Sequence, residues 1–138
     1  HRQTVELCQQ IGFTKIHVFP YSRRRETAAA SMPDQVPAEI ARERTQEMLD
    51  LSDRLSAAYC SRRIGDSTLV LLEREIAPGV GEGYTRTYLP CRFQLNLWGG
   101  NAYPGDIFLV HLEEYKDGYL FGKGSLCDSA EDNKRNYI

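Results

Sequence analysis

The sequence has no run of about 18 apolar residues, so it offers no helix able to cross a membrane. Its opening also lacks the basic, apolar and small-residue order of a secretory signal, and the expected location is the cytoplasm. It has no Cys-x-x-Cys or His-x-x-x-His pair, because Cys8, Cys60, Cys91 and Cys127 stand far apart. Isolated cytosolic thiols behave as small hydrophobes and read as free, buried or half-buried side chains, with no metal site expected. No Ser-His-Asp or Cys-His arrangement is recognisable. The run Gly79-Val80-Gly81-Glu82-Gly83 leads into a strand pattern, so the helix terminus that a phosphate loop needs is missing. Cations are not in excess either: 17 Lys and Arg face 19 Asp and Glu. Residues 1–65 hold ten Lys/Arg against eight Asp/Glu, and residues 66–138 hold seven against eleven. Any nucleic-acid contact must therefore rest on a local patch and not on bulk charge.

What is present reads as an α+β chain in four parts. Residues 1–36 look like one αβ unit of a larger α/β barrel. Val5, Leu7, Cys8 and Ile11 recur at helical spacing up to a stop at Gly12, and Lys15-Ile16-His17-Val18-Phe19 is a short strand cut off by Pro20. Tyr21 to Val36 reads as a loop leaving that strand. Residues 37–65 form one long linking helix. Pro37 opens it, Asp34 or Gln35 serves as a cap, and Ile40, Met48, Leu51, Leu55, Ala58 and Tyr59 make an apolar stripe. Asp50 and Arg54 form an i,i+4 pair on its solvated side, Arg62 and Arg63 occupy the last turn, and Gly65 ends it.

Residues 66–126 switch to period two. Ser67–Glu75, Gly83–Phe93, Ile107–Tyr115 and Tyr119–Ser125 read as four strands of a small antiparallel, OB-like β-barrel, with Lys116-Asp117-Gly118 as a hairpin turn. Residues 127–138 read as a polar, fraying tail. His17 and His111 lie in apolar, strand-like runs and are expected to be packed. Because the first residue is His1, the chain reads as part of a longer one.

Within the barrel, Tyr84, Arg86 and Tyr88 fall on one face of the Gly83–Phe93 strand, since side chains two apart point the same way. Rings around a guanidinium suit RNA, with aromatic faces for unpaired bases and Arg for phosphate, but an ordinary solvent-facing strand has the same pattern. Lys123 adds a second cation if its strand lies beside the first. Arg23-Arg24-Arg25 reads either as an anion contact or as a solvated charge run.

The wording His17-Val18-Phe19-Pro20-Tyr21-Ser22 with Arg24 and Thr27, then Met32-Pro33-Asp34-Gln35-Val36-Pro37, Glu43-Arg44 and Ile64-Gly65, resembles the C-terminal part of radical-SAM tRNA methylthiotransferases. The barrel segment, with Val70-Leu71-Leu72-Glu73 and Gly83-Tyr84-Thr85, is similar to a TRAM domain, and the His-Val-Phe-Pro-Tyr-Ser wording is most similar to the MtaB-like branch of the MiaB/RimO superfamily. The resemblance implies addition of a methylthio group to C2 of N6-threonylcarbamoyladenosine beside the anticodon, supported by S-adenosylmethionine and two 4Fe-4S clusters. The radical-cluster signature Cys-x-x-x-Cys-x-x-Cys is absent, so these residues are expected to bind neither cofactor and to be inactive without the missing N-terminal domains.

The same resemblance implies that the barrel grips the tRNA anticodon stem-loop, for which the strand reading supplies Tyr84, Arg86, Tyr88 and Lys123, and that the loop carrying Tyr21, Ser22, Arg24 and Thr27 borders the active site. The family usually has Arg-Pro-Gly-Thr where this chain has Arg24-Arg25-Glu26-Thr27, which places the glycine-dependent turn in question. Three alternatives stay open: a methylthiotransferase acting on an aspartate of a ribosomal protein, a stand-alone RNA-binding module, and a structural or assembly domain with no RNA contact.

Overall fold

The computed structural model describes residues 1–97 and 100–127; the remainder of the expected polar tail lies outside the described residues. The chain divides into two compact units, His1–Tyr59 and Cys60–Ile138.

In the first unit, helix α1 (Arg2–Ile11) forms as its spacing requires and ends at Gly12, whose φ of 71° lets its N–H reach the Cys8 carbonyl. The expected strand Lys15–Phe19 does not form. A strand exists only through a neighbouring ladder, and the described residues of this unit supply none. One side chain does part of that work. Ser52, on the long helix that follows, is 1% exposed; its Oγ accepts the Ile16 N–H at 3.0 Å and donates to the Ile16 carbonyl at 3.4 Å. Without a sheet to cover them, Phe19 remains 85% exposed and His17 is exposed, contrary to the packed position expected for that histidine.

The expected 21–36 loop contains one helical turn, α2 (Ala28–Ser31). Gln35 donates to the carbonyls of Ala29 and Met32, so it ties off α2 and does not cap the following helix. Helix α3 runs Ala38–Ser61, ending short of the expected Gly65. Arg62 and Arg63 therefore fall beyond it, and Arg63 pairs with Asp66 at 3.3 Å instead of facing the helix dipole. Of the predicted stripe Leu51 is fully buried, whereas Ile40 and Ala58 are exposed. The Asp50–Arg54 pair is replaced by a Gln46 to Asp50 hydrogen bond of 2.8 Å.

The second unit is a closed barrel of β1 (Ser67–Ala77), β2 (Val80–Thr85), β3 (Pro90–Asn96), β4 (Ile107–Lys116) and β5 (Tyr119–Leu126), in the order β1-β2-β3-β5-β4. Two expectations change. The Gly83–Phe93 run is two strands folded at Thr85–Leu89, giving five strands and not four, and the closing β3–β5 pair is parallel within an otherwise antiparallel barrel. The architecture is OB-like as expected. Asp117 and Gly118 both take positive φ, 50° and 83°, as a two-residue hairpin requires.

Val70, Leu72, Cys91, Phe93, Phe108, Val110, Leu112 and Leu120 point inward and fill the barrel. Phe93 and Phe108 meet at 5.2 Å between ring centroids, a tilted pair worth about 0.5–1.5 kcal/mol beyond area burial. His111, expected to be packed, faces outward and is exposed, with Nδ1 3.4 Å from Ser67 Oγ. All four cysteines are free, Cys60 and Cys91 buried and Cys8 and Cys127 half-buried, as their isolation suggested.

Glycine is required where β5 crosses the core. A Cβ at Gly122 would overlap the His111 carbonyl, and one at Gly124 would lie 2.5 Å from Phe93 Cδ2. Gly122→Ala is expected to lower stability by about 1–3 kcal/mol in urea denaturation. At Gly100, where a Cβ meets nothing within 4 Å, the same change is expected to stay within about 0.5 kcal/mol.

Candidate nucleic-acid interface

The expected RNA-binding residues do not share one strand face. Tyr84 lies on the outer wall of β2, 41% exposed, but Arg86 and Tyr88 sit in the turn that reverses the chain into β3. The turn is tight because Thr85 and Leu89 bond across it, with the Thr85 N–H reaching the Leu89 carbonyl and Thr85 Oγ1 accepting the Leu89 N–H. Tyr88 consequently takes φ 59° and leaves its ring 86% exposed. A bulky residue held in the left-handed region with its aromatic face open is an arrangement often found where a ligand docks.

Lys123 does not lie beside Tyr84, because β3 separates β2 from β5. Tyr84 pairs with Pro90 on β3, whereas Lys123 pairs with Gln94. Its ammonium is also engaged by Glu113 at 2.8 Å. Arg86 has electrostatic company of its own and is not a bare cation.

Between these two places the outer wall carries residues that strand periodicity alone did not single out. Glu82 on β2 accepts from Arg74 Nε at 3.0 Å and Nη2 at 2.5 Å through Oε1, and from Arg92 Nε at 2.8 Å through Oε2. Three strands are thus tied by one carboxylate whose side chain is only 11% exposed. The guanidinium of Arg92 lies 3.8 Å over the ring of Tyr119 on β5. Phe121 follows on the same outer face, paired with Arg92, and a cleft of about 260 Å³ opens there over Gly122, lined also by Gln94 and Glu113. Two guanidinium groups share one carboxylate beside two aromatic rings, and with Glu73 acting on Arg74 and Glu113 lining the cleft the cluster offers fixed, directed donors and not a large net charge. This is the kind of patch needed by a chain with no bulk excess of cations.

Arg74 is placed there by a β-bulge. Leu72 pairs with Gly83 but Arg74 pairs with Glu82, so Glu73 is an extra residue on β1. Without it, alternation would point Arg74 inward with Val70 and Leu72. An arginine at an apparently inward position was the available signal. For Tyr119 and Phe121 the signal was the glycines at 122 and 124, which occupy the inward positions and turn the rings out.

Of the expected active-site border, Tyr21 lines a cavity in the His1–Tyr59 unit, and Ser22 is exposed. The Arg24–Thr27 turn forms without glycine. Thr27 Oγ1 donates to the Arg24 carbonyl at 2.9 Å, and Glu26 takes φ 70° in the place where the family has Gly.

The cysteines do not fit an iron–sulfur cluster. Among the described residues no three His, Cys, Asp or Glu side chains converge to hold a metal ion. Burial pushes the Cys91 thiol up to about 12, which keeps it protonated and a poor ligand.

The paired arginines hold the Glu82 carboxyl below the ordinary glutamate range, chiefly through the Arg92 hydrogen bond and then that from Arg74. A carboxyl depressed in the folded state contributes stability above its unfolded value of about 4.3, and that contribution is lost as pH falls through the folded value. Wild-type protein is therefore expected to lose more stability than Glu82→Gln between about pH 6 and about pH 2, read as urea midpoints. Equal losses would show that the carboxylate is not held this way.

No protein-family model matches the chain. Curated proteins do. Threonylcarbamoyladenosine tRNA methylthiotransferase MtaB of Bacillus subtilis (strain 168) is 31% identical over 134 residues, covering 94% of this chain and 28% of the relative. The tRNA-2-methylthio-N(6)-dimethylallyladenosine synthase of Chlorobium phaeobacteroides is 41% identical over 126 residues, covering 91% of the chain and again 28% of the relative. Ribosomal protein uS12 methylthiotransferase RimO of Heliobacterium modesticaldum is 30% identical over 89 residues, 64% of the chain and 19% of the relative. The chain thus spans little more than a quarter of the first two relatives it matches, and it is similar to methylthiotransferases along about nine-tenths of its length.

Proposed function

We propose that this chain is the RNA-binding C-terminal portion of a radical-SAM tRNA methylthiotransferase, the barrel being its TRAM domain. The observation that carries this reading is the similarity to tRNA-modifying proteins, which runs through both units of the chain. The barrel supplies a means. Arg74 and Arg92 offer phosphate contacts, Arg92 held over the Tyr119 ring, and Tyr84, Tyr88 and Phe121 offer ring faces to unstacked bases of an anticodon stem-loop.

In this reading, Ala38–Ser61 links the barrel to the end of a radical-SAM barrel, whose remaining strands would cover the exposed Phe19 and pair with Lys15–Phe19. The proposed boundaries are 1–36, 37–65, 66–126 and 127–138. S-adenosylmethionine and two 4Fe-4S clusters would supply radical and sulfur chemistry from residues outside these 138, in the cytoplasm, with Tyr21, Ser22, Arg24 and Thr27 bordering that site.

The proposed target is C2 of N6-threonylcarbamoyladenosine, in keeping with the MtaB relative. The similarity to RimO keeps a ribosomal-protein target as the second reading. Expressing the reading frame that contains this chain in cells lacking their own methylthiotransferases, followed by mass spectrometry, separates the targets. A 2-methylthio-threonylcarbamoyladenosine nucleoside is expected. The dimethylallyl counterpart or a methylthiolated ribosomal protein would instead assign one of the other two activities.

For the barrel, Tyr88→Ala is expected to weaken stem-loop binding by about 1–3 kcal/mol with an unchanged salt slope, as loss of a stacked base requires. Arg92→Ala is expected to weaken binding and lower the slope of log K against log salt by about one. A filter-binding titration in which both variants match wild type would remove the barrel wall from RNA recognition.

A further inference from the structure

A cavity of about 660 Å³ lies wholly within the His1–Tyr59 unit, between the segment at Pro20–Arg23 and the first turns of α3. That volume is in the range of small-ligand sites. Two guanidinium groups, Arg23 and Arg42, line it, and no carboxylate does among the described residues. In a chain where acidic residues outnumber basic ones, a wall with cations alone selects an anion.

Hydrogen bonding narrows the contact. Arg23 donates through Nη2 to the Ala30 carbonyl at 2.6 Å, Gln35 to the carbonyls of Ala29 and Met32, Thr45 to that of Ala41 and Gln46 to Asp50. Arg42 has no hydrogen-bond or ion-pair partner among the described residues, so its whole planar fork of donors is available. Such a fork matches two oxygens of a phosphate. Pro20 and Tyr21, the latter 58% exposed, put flat apolar surface beside it, suited to a heterocyclic base.

We propose that this cavity binds the phosphate of a nucleotide through Arg42 while the base lies against Tyr21. With RNA as the source, the site is a second contact in addition to the barrel wall, and that part rests on the RNA reading above. A free mononucleotide carries the same chemistry.

Fluorescence anisotropy on the full 138-residue chain, with an unmodified anticodon stem-loop RNA and with AMP as probes, distinguishes the sources. Arg42→Gln is expected to weaken stem-loop binding about tenfold and to lower the salt slope by about one, whereas Arg42→Lys keeps the slope. Tyr21→Leu is expected to weaken binding with no change in slope. AMP binding that is lost in Arg42→Gln while the stem-loop binds normally assigns the cavity to a free nucleotide. Wild-type binding of both probes by Arg42→Gln overturns the site. If Arg92→Ala still weakens stem-loop binding in the same series, that failure belongs to the cavity alone; if neither variant does, the RNA reading fails with it.

Discussion

Barrel closure around Phe93 and Phe108 is the constraint on which the rest depends. Five strands enclose little more than their own side chains, and the parallel β3–β5 pairing closes the barrel beside the two packed rings. Only residues without a Cβ fit on the inner side of β5 at 122 and 124. Those glycines set the parity of the strand, and parity then puts Tyr119, Phe121 and Lys123 outside. The composition of the outer wall follows from packing inside it.

The wall's electrostatics follow from two irregularities in the ladder. The bulge at Glu73 turns Arg74 outward, and Glu113, at a second irregularity between Leu112 and Glu114, pairs with Lys123. Glu82 then becomes the hinge of the patch, since a carboxylate with little solvent access is tolerable only when its oxygens are met by charged donors. It holds Arg74 and Arg92 in place, with Glu73 also acting on Arg74. The fixed guanidinium donors, that of Arg92 next to Tyr119, are what a polyanion with unstacked bases would find. By contrast, Lys123 is matched by Glu113 and adds little net field.

Much of this was legible in the sequence because period-two alternation survives in β5 and in β1 and β4 ahead of their bulges, and because Asp117-Gly118 allows one kind of turn. The reversal at Thr85–Leu89 was hidden. Thr85, Thr87 and Tyr88 are β-formers and no glycine marks the turn, so Gly83 to Phe93 reads as one strand despite Pro90, and the aromatic and basic residues at 84, 86 and 88 share a face in that reading which the fold divides between strand and turn. Bulges are equally silent, since one extra residue leaves no compositional mark beyond a charge at an inward position. In the first unit, Lys15–Phe19 has the composition of a strand but lacks a ladder, and composition cannot supply a partner. Ser52 is the visible substitute, meeting both backbone groups of Ile16.

The central claim is that the outer face of β2, β3 and β5 meets RNA. The most direct measurement is amide chemical-shift mapping of the chain titrated with an anticodon stem-loop. The account predicts the largest changes at Glu82, Tyr88, Arg92, Tyr119 and Phe121, with Leu69, Leu109 and His111 on the β1–β4 outer face left nearly unmoved. Changes concentrated at Leu69, Leu109 and His111 instead, or none at saturating RNA, would contradict it.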